Sequence, residues 1–184
     1  MTHSPVNGNL RFRWMAMKLR LRYALSSPER VLQEAGLRPG MTVLDFGCGP
    51  GDFALAAARA VGASGRVYAL DRHPLAVRYV ERRASRRGWG NVSALNAANP
   101  SGISRGSVDI ALLYNVLHEF GDPFWILAGL HCALKPEGVL SVMDRHLDDS
   151  ELKSAVEDGG LFQFGKRGSR TCRFQRVDWQ RRAS

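Results

Sequence analysis

Three glycines at alternate positions, Gly47, Gly49 and Gly51, follow a short apolar run from Met41 to Phe46 and precede Ala54-Leu55-Ala56-Ala57-Ala58. The run predicts a buried strand, and the alanine-rich stretch predicts a helix. Between them, glycine removes the Cβ and permits a positive φ, so the chain can turn sharply and offer bare backbone to a ligand. The helix that follows points its first N–H groups and the positive end of its dipole at the turn. Strand, glycine turn and helix in this order predict a pocket for part of a nucleotide-like ligand in an α/β fold.

Spacing narrows the ligand. A dinucleotide fingerprint needs its third glycine at position 52, which is Asp52. A carboxylate there repels a pyrophosphate, and no Lys-Ser/Thr pair follows the glycines, so a phosphate-cradling loop is excluded. A ligand without phosphates, carrying an amino acid and a ribose, fits better. The next apolar run, Arg66-Val67-Tyr68-Ala69-Leu70-Asp71, ends in an acid 20 positions after Gly51. A carboxylate at the end of the second strand can accept two hydrogen bonds from ribose hydroxyls. A tight turn that binds nothing, and Asp71 as a helix N-cap, are the plainer alternatives.

The segment Leu44-Asp45-Phe46-Gly47-Cys48-Gly49-Pro50-Gly51 resembles the first motif of the class I S-adenosylmethionine-dependent methyltransferases. Asn115-Val116-Leu117-His118-Glu119 is similar to the same segment in their small-molecule branch, which includes quinone-biosynthesis and arsenite methyltransferases. The resemblance covers about residues 28–177. It implies a doubly wound, Rossmann-like sheet of seven strands, mostly parallel, with strand seven antiparallel. It also implies S-adenosylmethionine as cofactor, S-adenosylhomocysteine as product, and direct in-line methyl transfer to a small-molecule acceptor, with no metal. Carried over position by position, Asp45, Gly47, Cys48, Gly49 and Gly51 surround the methionine part. Asp71, with Arg72 beside it, holds the ribose. Asn96 stands where the family has an acid for the adenine amino group, and its amide oxygen can still accept that bond. Ala97 next to it acts through its backbone, and Asn115 lies near the sulfonium. His118 is the candidate catalytic residue, since an imidazole can take a proton from the acceptor as the methyl arrives. It can equally be a partner for a backbone carbonyl. An arsenite-type role needs several converging cysteines, and Cys48, Cys132 and Cys172 are too few and too scattered.

Patterning fills in the remaining elements. Ser27 is the expected N-cap of a helix that stops at Gly36, and Pro74 to about Arg87 forms another. Asn91–Asn96 is the third strand, and Ser107 onward the fourth, with Asp109 in a structural role. Asp122-Pro123 opens a helix whose buried stripe is Trp125, Ile126, Leu127, Leu130 and Leu134. Val139–Met143 is strand five, delivering Asp144, Arg145 and His146 to the same edge, either against the acceptor or as caps of a helix from Asp148 to Glu157. Leu161–Phe164 and Thr171–Val177 form a terminal hairpin.

Charge separates the ends from the middle. The net charge is +9 over 184 residues, yet residues 41–165 carry twelve basic and fourteen acidic side chains, against seven and two in 1–40 and seven and one in 166–184. Three segments follow: a basic amphipathic helix in 1–26, with Leu10, Trp14, Met17, Leu21 and Leu25 on one face, as a lid; a cofactor-binding domain in 27–178; and a basic tail in 179–184. Basic ends can meet nucleic acid or an anionic membrane surface. An RNA methyltransferase and a non-catalytic cofactor-binding protein are therefore the alternative readings, and a solvated arginine-rich surface is the plain one. No apolar run has membrane-spanning length, and unpaired cysteines fit a reducing cytoplasm. Nothing in the sequence fixes the oligomeric state.

Overall fold

The computed structural model describes residues 27–178, so the expected lid helix in 1–26 and the basic tail in 179–184 lie outside the described residues. In chain order the elements are α1 (Pro28–Ala35), β1 (Thr42–Phe46), α2 (Asp52–Val61), β2 (Arg66–Asp71), α3 (Pro74–Ser85), β3 (Val92–Asn96) and β4 (Val108–Tyr114). A 3₁₀ turn at Leu117–Glu119 leads to α4 (Phe124–Ala133), β5 (Leu134–Met143), α5 (Asp149–Glu157), β6 (Phe162–Arg167) and β7 (Cys172–Arg176). The strands form one seven-stranded sheet in the order β3-β2-β1-β4-β5-β7-β6. The first five pair in parallel, while β7 runs antiparallel to both β5 and β6. The seven-stranded, mostly parallel expectation therefore holds.

Period-two alternation explains how one sheet buries both faces. In β4, Ile110 and Leu112 pack with Val31, Leu32, Ala54, Val61 and Val80, on the side covered by α1, α2 and α3. Ala111 and Leu113 point the other way, into a cluster with Leu127, Leu130, Leu152 and Phe174 under α4 and α5. Strand order reverses between β1 and β4, and such a switch opens a crevice at the carboxyl ends of the strands.

Several local expectations change in detail. Ser27 makes no side-chain cap; its hydroxyl donates instead to Glu29 Oε2 at 2.8 Å. Asp71 does not cap α3, because His73 does so, its Nδ1 accepting from the Leu75 amide at 3.2 Å. Trp125 is 77 % exposed rather than part of the buried stripe. At about 100° per residue it stands about 200° around α4 from the fully buried Leu127. Strand five begins at Leu134, five residues early, since Leu134 pairs with Val108 across a bulge before regular pairing resumes at Ile110 and Val139. Asp148 caps α5 in a reciprocal box with Glu151, so Asp144, Arg145 and His146 are not needed as caps. Asp109 is structural as expected, accepting from the Thr42 amide (2.8 Å) and the Lys135 ammonium (2.6 Å).

One carboxylate fastens α1 to the hairpin. Glu34 accepts from the Ser169 hydroxyl, from the amides of Arg170 (2.9 Å) and Thr171 (3.2 Å), and from the Thr171 hydroxyl. Burial pushes its pKa up, but these donors outweigh burial and hold it below the usual carboxylate value. A depressed folded-state pKa gives stability that is present above the unfolded value and lost as pH falls through the folded one. Glu34→Ala is expected to lower stability by about 1.5 kcal/mol near neutral pH, the low end for bonds to a charged group because the site is half-exposed. Denaturant melts of both proteins should show that gap closing under acid conditions.

Candidate functional site

A cavity of ≈ 770 Å³ opens at the carboxyl ends of β1, β2 and β4. Of the residues expected at the site, Asp45, Gly47, Cys48, Gly49, Asp71, Arg72, Ala97, Asn115 and His118 line it. Gly51 and Asn96 do not. Gly51 sits behind the turn at φ 82°, where a Cβ would lie 2.5 Å from Val80, so its smallness serves the packing of α2 on α3. Asn96 is exposed, and its amide nitrogen donates to the Asp71 carbonyl at 3.0 Å.

The glycine turn differs from an anion cradle in one decisive respect. Its amides are already spent: Gly47 and Cys48 donate to the Leu70 carbonyl (2.8 and 3.0 Å), Gly49 to Asp71 Oδ2 (2.8 Å) and Gly51 to the Cys48 carbonyl (2.9 Å). Pro50 has no N–H to give. What the turn offers is room and carboxylates. A Cβ on Gly49 would meet nothing within 4 Å. Asp45 is 2 % exposed, and its Oδ2 has no hydrogen-bond partner; neither has the buried Oδ2 of Asp52. Burial pushes Asp45 up to about 7, the nearby Asp71 charge adds to that, the Ala54 amide opposes it, and Asp52 adds a little more. Asp52 Oδ1 is held by Arg83 at 2.7 Å, and the same guanidinium nitrogen donates to the Pro50 carbonyl at 2.6 Å, pinning the turn. Asp45 and Asp52 both line the cavity, and each keeps a buried carboxylate oxygen without a partner, an arrangement that calls for a cationic donor, not a phosphate. Cys48 contributes bulk rather than reactivity, because burial and the charges of Asp45 and Asp71 push its thiol pKa well up.

Asp71 organises the β2 end. Its carboxylate accepts from the Gly49 and His73 amides, each at 2.8 Å, and its carbonyl accepts from the Ala97 amide at 3.1 Å. Ala97 therefore lines the cavity with its own N–H already engaged. Arg72 reaches across the mouth to Glu119 at 3.1 Å, an exposed pair whose worth is small.

The β4 and β5 ends build the opposite wall. Asn115 is the non-glycine with positive φ (55°) among the described residues, a strained conformation of the kind that clusters at functional sites. Its amide donates to the Met143 carbonyl at 2.6 Å, and the Arg145 amide approaches its Oδ1 at 3.4 Å. His118 places Nδ1 2.8 and 3.0 Å from the two oxygens of Asp144. The Asp144 side chain is 0 % exposed against 28 % for His118. Burial pushes Asp144 up, yet the bonds from the His118 ring and from the amides of His146 and His118 outweigh it and hold its pKa below the usual value. The His146 ring lies 4.2 Å from that of His118. Phe46, Leu70, Tyr114, Val116 and Phe120 supply the apolar lining. Of these, Val116 lies within the Asn115–Glu119 segment that the sequence singled out and Tyr114 and Phe120 flank it, but the residues alone gave no sign of which ones face the cavity. The Asp144–His118 pairing was likewise hidden, since 26 residues separate its members.

Comparisons with known proteins bear on the family and the fold. A family model described as a methyltransferase domain matches residues 37–171. A demethylmenaquinone methyltransferase of Geobacillus kaustophilus is 31% identical over 60% of this chain and 48% of its own length. A ubiquinone/menaquinone biosynthesis C-methyltransferase, UbiE, of Marinomonas sp. is 30% identical over 72% of this chain and 53% of its own length. The chain thus spans about half the length of these curated relatives. The crystal structure of a SAM-dependent methyltransferase from Aquifex aeolicus superposes with a TM-score of 0.79 at 28% identity, covering 89% of this chain and 97% of that one. The chain belongs to the methyltransferase-domain family and has the class I S-adenosylmethionine-dependent methyltransferase fold.

Proposed function

We propose that this protein transfers a methyl group from S-adenosylmethionine to a small-molecule acceptor. One observation carries the assignment: the orphaned, buried Oδ2 of Asp45 lies beside a roomy glycine turn whose amides are all spent. An α-ammonium group is the donor that oxygen lacks, and the methionine end of the cofactor provides one. Asp45, Gly47, Cys48 and Gly49 surround that end, with Asp52 as a second acceptor and Gly51 as support from behind. Asp71 takes the ribose, Arg72 screens it at the mouth, and Asn96 and Ala97 border the adenine. Asn115 stands near the sulfonium, on the strained rim between β4 and β5.

The cofactor brings an activated methyl on a sulfonium leaving group. The chain's own residues have to hold both partners in line and exclude water, and such alignment supplies about 7–11 kcal/mol. Relatives named for quinone methylation support an apolar, ring-shaped acceptor, as do Val116 and Phe120 in the cavity wall. Among the described residues, no helix is long and apolar enough to cross a membrane. Free thiols at Cys48, Cys132 and Cys172 support a reducing, cytoplasmic setting. Residues 27–178 form the cofactor-binding unit, with the basic segments on either side as accessory parts.

Calorimetry tests the assignment. Wild-type protein is expected to bind S-adenosylmethionine and S-adenosylhomocysteine with micromolar affinity, and Asp71→Ala to lose at least about tenfold, as befits two lost charge-assisted hydrogen bonds. A folded wild type that binds neither compound sinks the proposal. Asp45 gives a second test. Its folded pKa lies above its unfolded value of 3.8, so the ionisation of Asp45 costs ligand-free stability progressively as pH rises from the unfolded value to about 7. Asp45→Asn should flatten that decline in thermal melts while weakening the cofactor, whose wild-type affinity should improve as pH rises through the same window.

A further inference from the structure

The cofactor assignment leaves one cluster of the cavity without a task. Asp144, buried at the end of β5, receives four contacts: Nδ1 of His118 on both oxygens, the His118 amide at 3.1 Å on Oδ2, and the His146 amide at 3.0 Å on Oδ1. An ionised carboxylate only accepts, so this arrangement requires a proton on Nδ1. In the neutral ring the lone pair then sits on Nε2. Among the described residues, no protein group bonds that nitrogen, and His118 lines the cavity. His131 shows the structural use of the same side chain in this fold: its Nε2 meets the Val177 carbonyl at 3.0 Å, with the ring edge-on to Phe162 and buried. His118 is wired the opposite way, with a buried carboxylate as its Nδ1 partner and its part-exposed ring lining the cavity.

We propose that His118 is the catalytic base that takes the acceptor's proton, that Asp144 is its positioning residue, and that the acceptor is a neutral hydroxyl compound, a phenol or an enol. This rests on the methyl-transfer assignment above. In the step, the methyl–sulfur bond breaks, a bond forms between the methyl carbon and the acceptor oxygen, and the hydroxyl proton passes to Nε2 and then to water. S-adenosylhomocysteine leaves neutral. A carboxylate acceptor is already ionised and gains nothing from such a base. A hydroxyl group becomes nucleophilic as its proton is drawn off, and Val116 and Phe120 give its ring an apolar bed. Around His118 the charged or titratable groups are Asp144 just past β5, His146 with its ring tilted 39° against that of His118, and Arg145, whose Nε donates to His146 Nε2 at 3.1 Å. Glu119, next in the turn, is tied to Arg72 from the β2 end.

The test uses the full chain with labelled histidine, and β-naphthol and β-naphthylamine as probes with methyl-labelled S-adenosylmethionine. Nitrogen NMR of the wild type, with His118 assigned from His118→Gln, should show Nδ1 protonated and Nε2 bare at alkaline pH. Asp144→Ala should move the proton to Nε2. Transfer to β-naphthol should fall about 10²-fold in kcat in both variants, the scale of a general base, with KM little changed and partial recovery in Asp144→Glu. That deficit should close as pH approaches the naphthol's own ionisation, which a merely structural role would not produce. Melting curves and S-adenosylhomocysteine binding show whether each variant keeps its fold. A bare Nδ1 in the wild type, an undiminished rate in His118→Gln, a deficit independent of pH, preference for β-naphthylamine, or no transfer to β-naphthol would each overturn the proposal. Failure of the wild type to bind the cofactor is a separate result, against methyl transfer itself, and the NMR measurement does not depend on it.

Discussion

Asp71 joins three segments that are distant in sequence, and the site depends on that junction. Its carboxylate holds the glycine turn after β1 through Gly49 and the start of α3 through His73, while its carbonyl holds the exit of β3 through Asn96 and Ala97. A carboxylate can do this because it accepts from several directions, and the amides that reach it are ones a helix start or a glycine turn leaves unmatched. The edge of the cavity is thereby fixed before any ligand arrives.

Satisfying the turn internally changes what it can bind. With its amides spent, the loop loses the donors that make glycine turns attractive to phosphate, and what remains is the chemistry of the buried carboxylates of Asp45 and Asp52. Burying unmatched carboxylate oxygens is costly, which is why Asp45 is pushed toward neutrality. Arg83 offsets part of that cost at Asp52. The near-neutral charge of residues 41–165 conceals a cleft lined by four acidic side chains against two arginines, with the basic excess kept to the ends of the chain.

Across the cavity, the β4–β5 rim concentrates the features that a stability argument alone does not require. These are a left-handed asparagine, a buried carboxylate with three donors, and two neighbouring imidazoles. All lie at the carboxyl ends of neighbouring strands, where the sheet's switch of direction opens a crevice. In the proposed assignment, the cofactor and the acceptor take the two walls of that one crevice.

The sequence by itself determined the strand–turn–helix start, the acid closing β2, the parallel core and the terminal hairpin. These follow from local rules: glycine where φ must be positive, alternation in strands, caps at helix ends. It also brought Asn115, His118 and Asp144 to one edge, because strand ends in an open α/β sheet share an edge. What only the tertiary structure decided is how side chains meet across that edge. Gly51 proved to be packing against Val80 rather than lining, and His73 took the capping role that Asp71 was offered. Trp125 turned outward, and Asp144 chose Nδ1 of His118. Each of these outcomes depends on rotation about a helix or on contact between strands far apart in the chain, and no window of neighbouring residues contains that information.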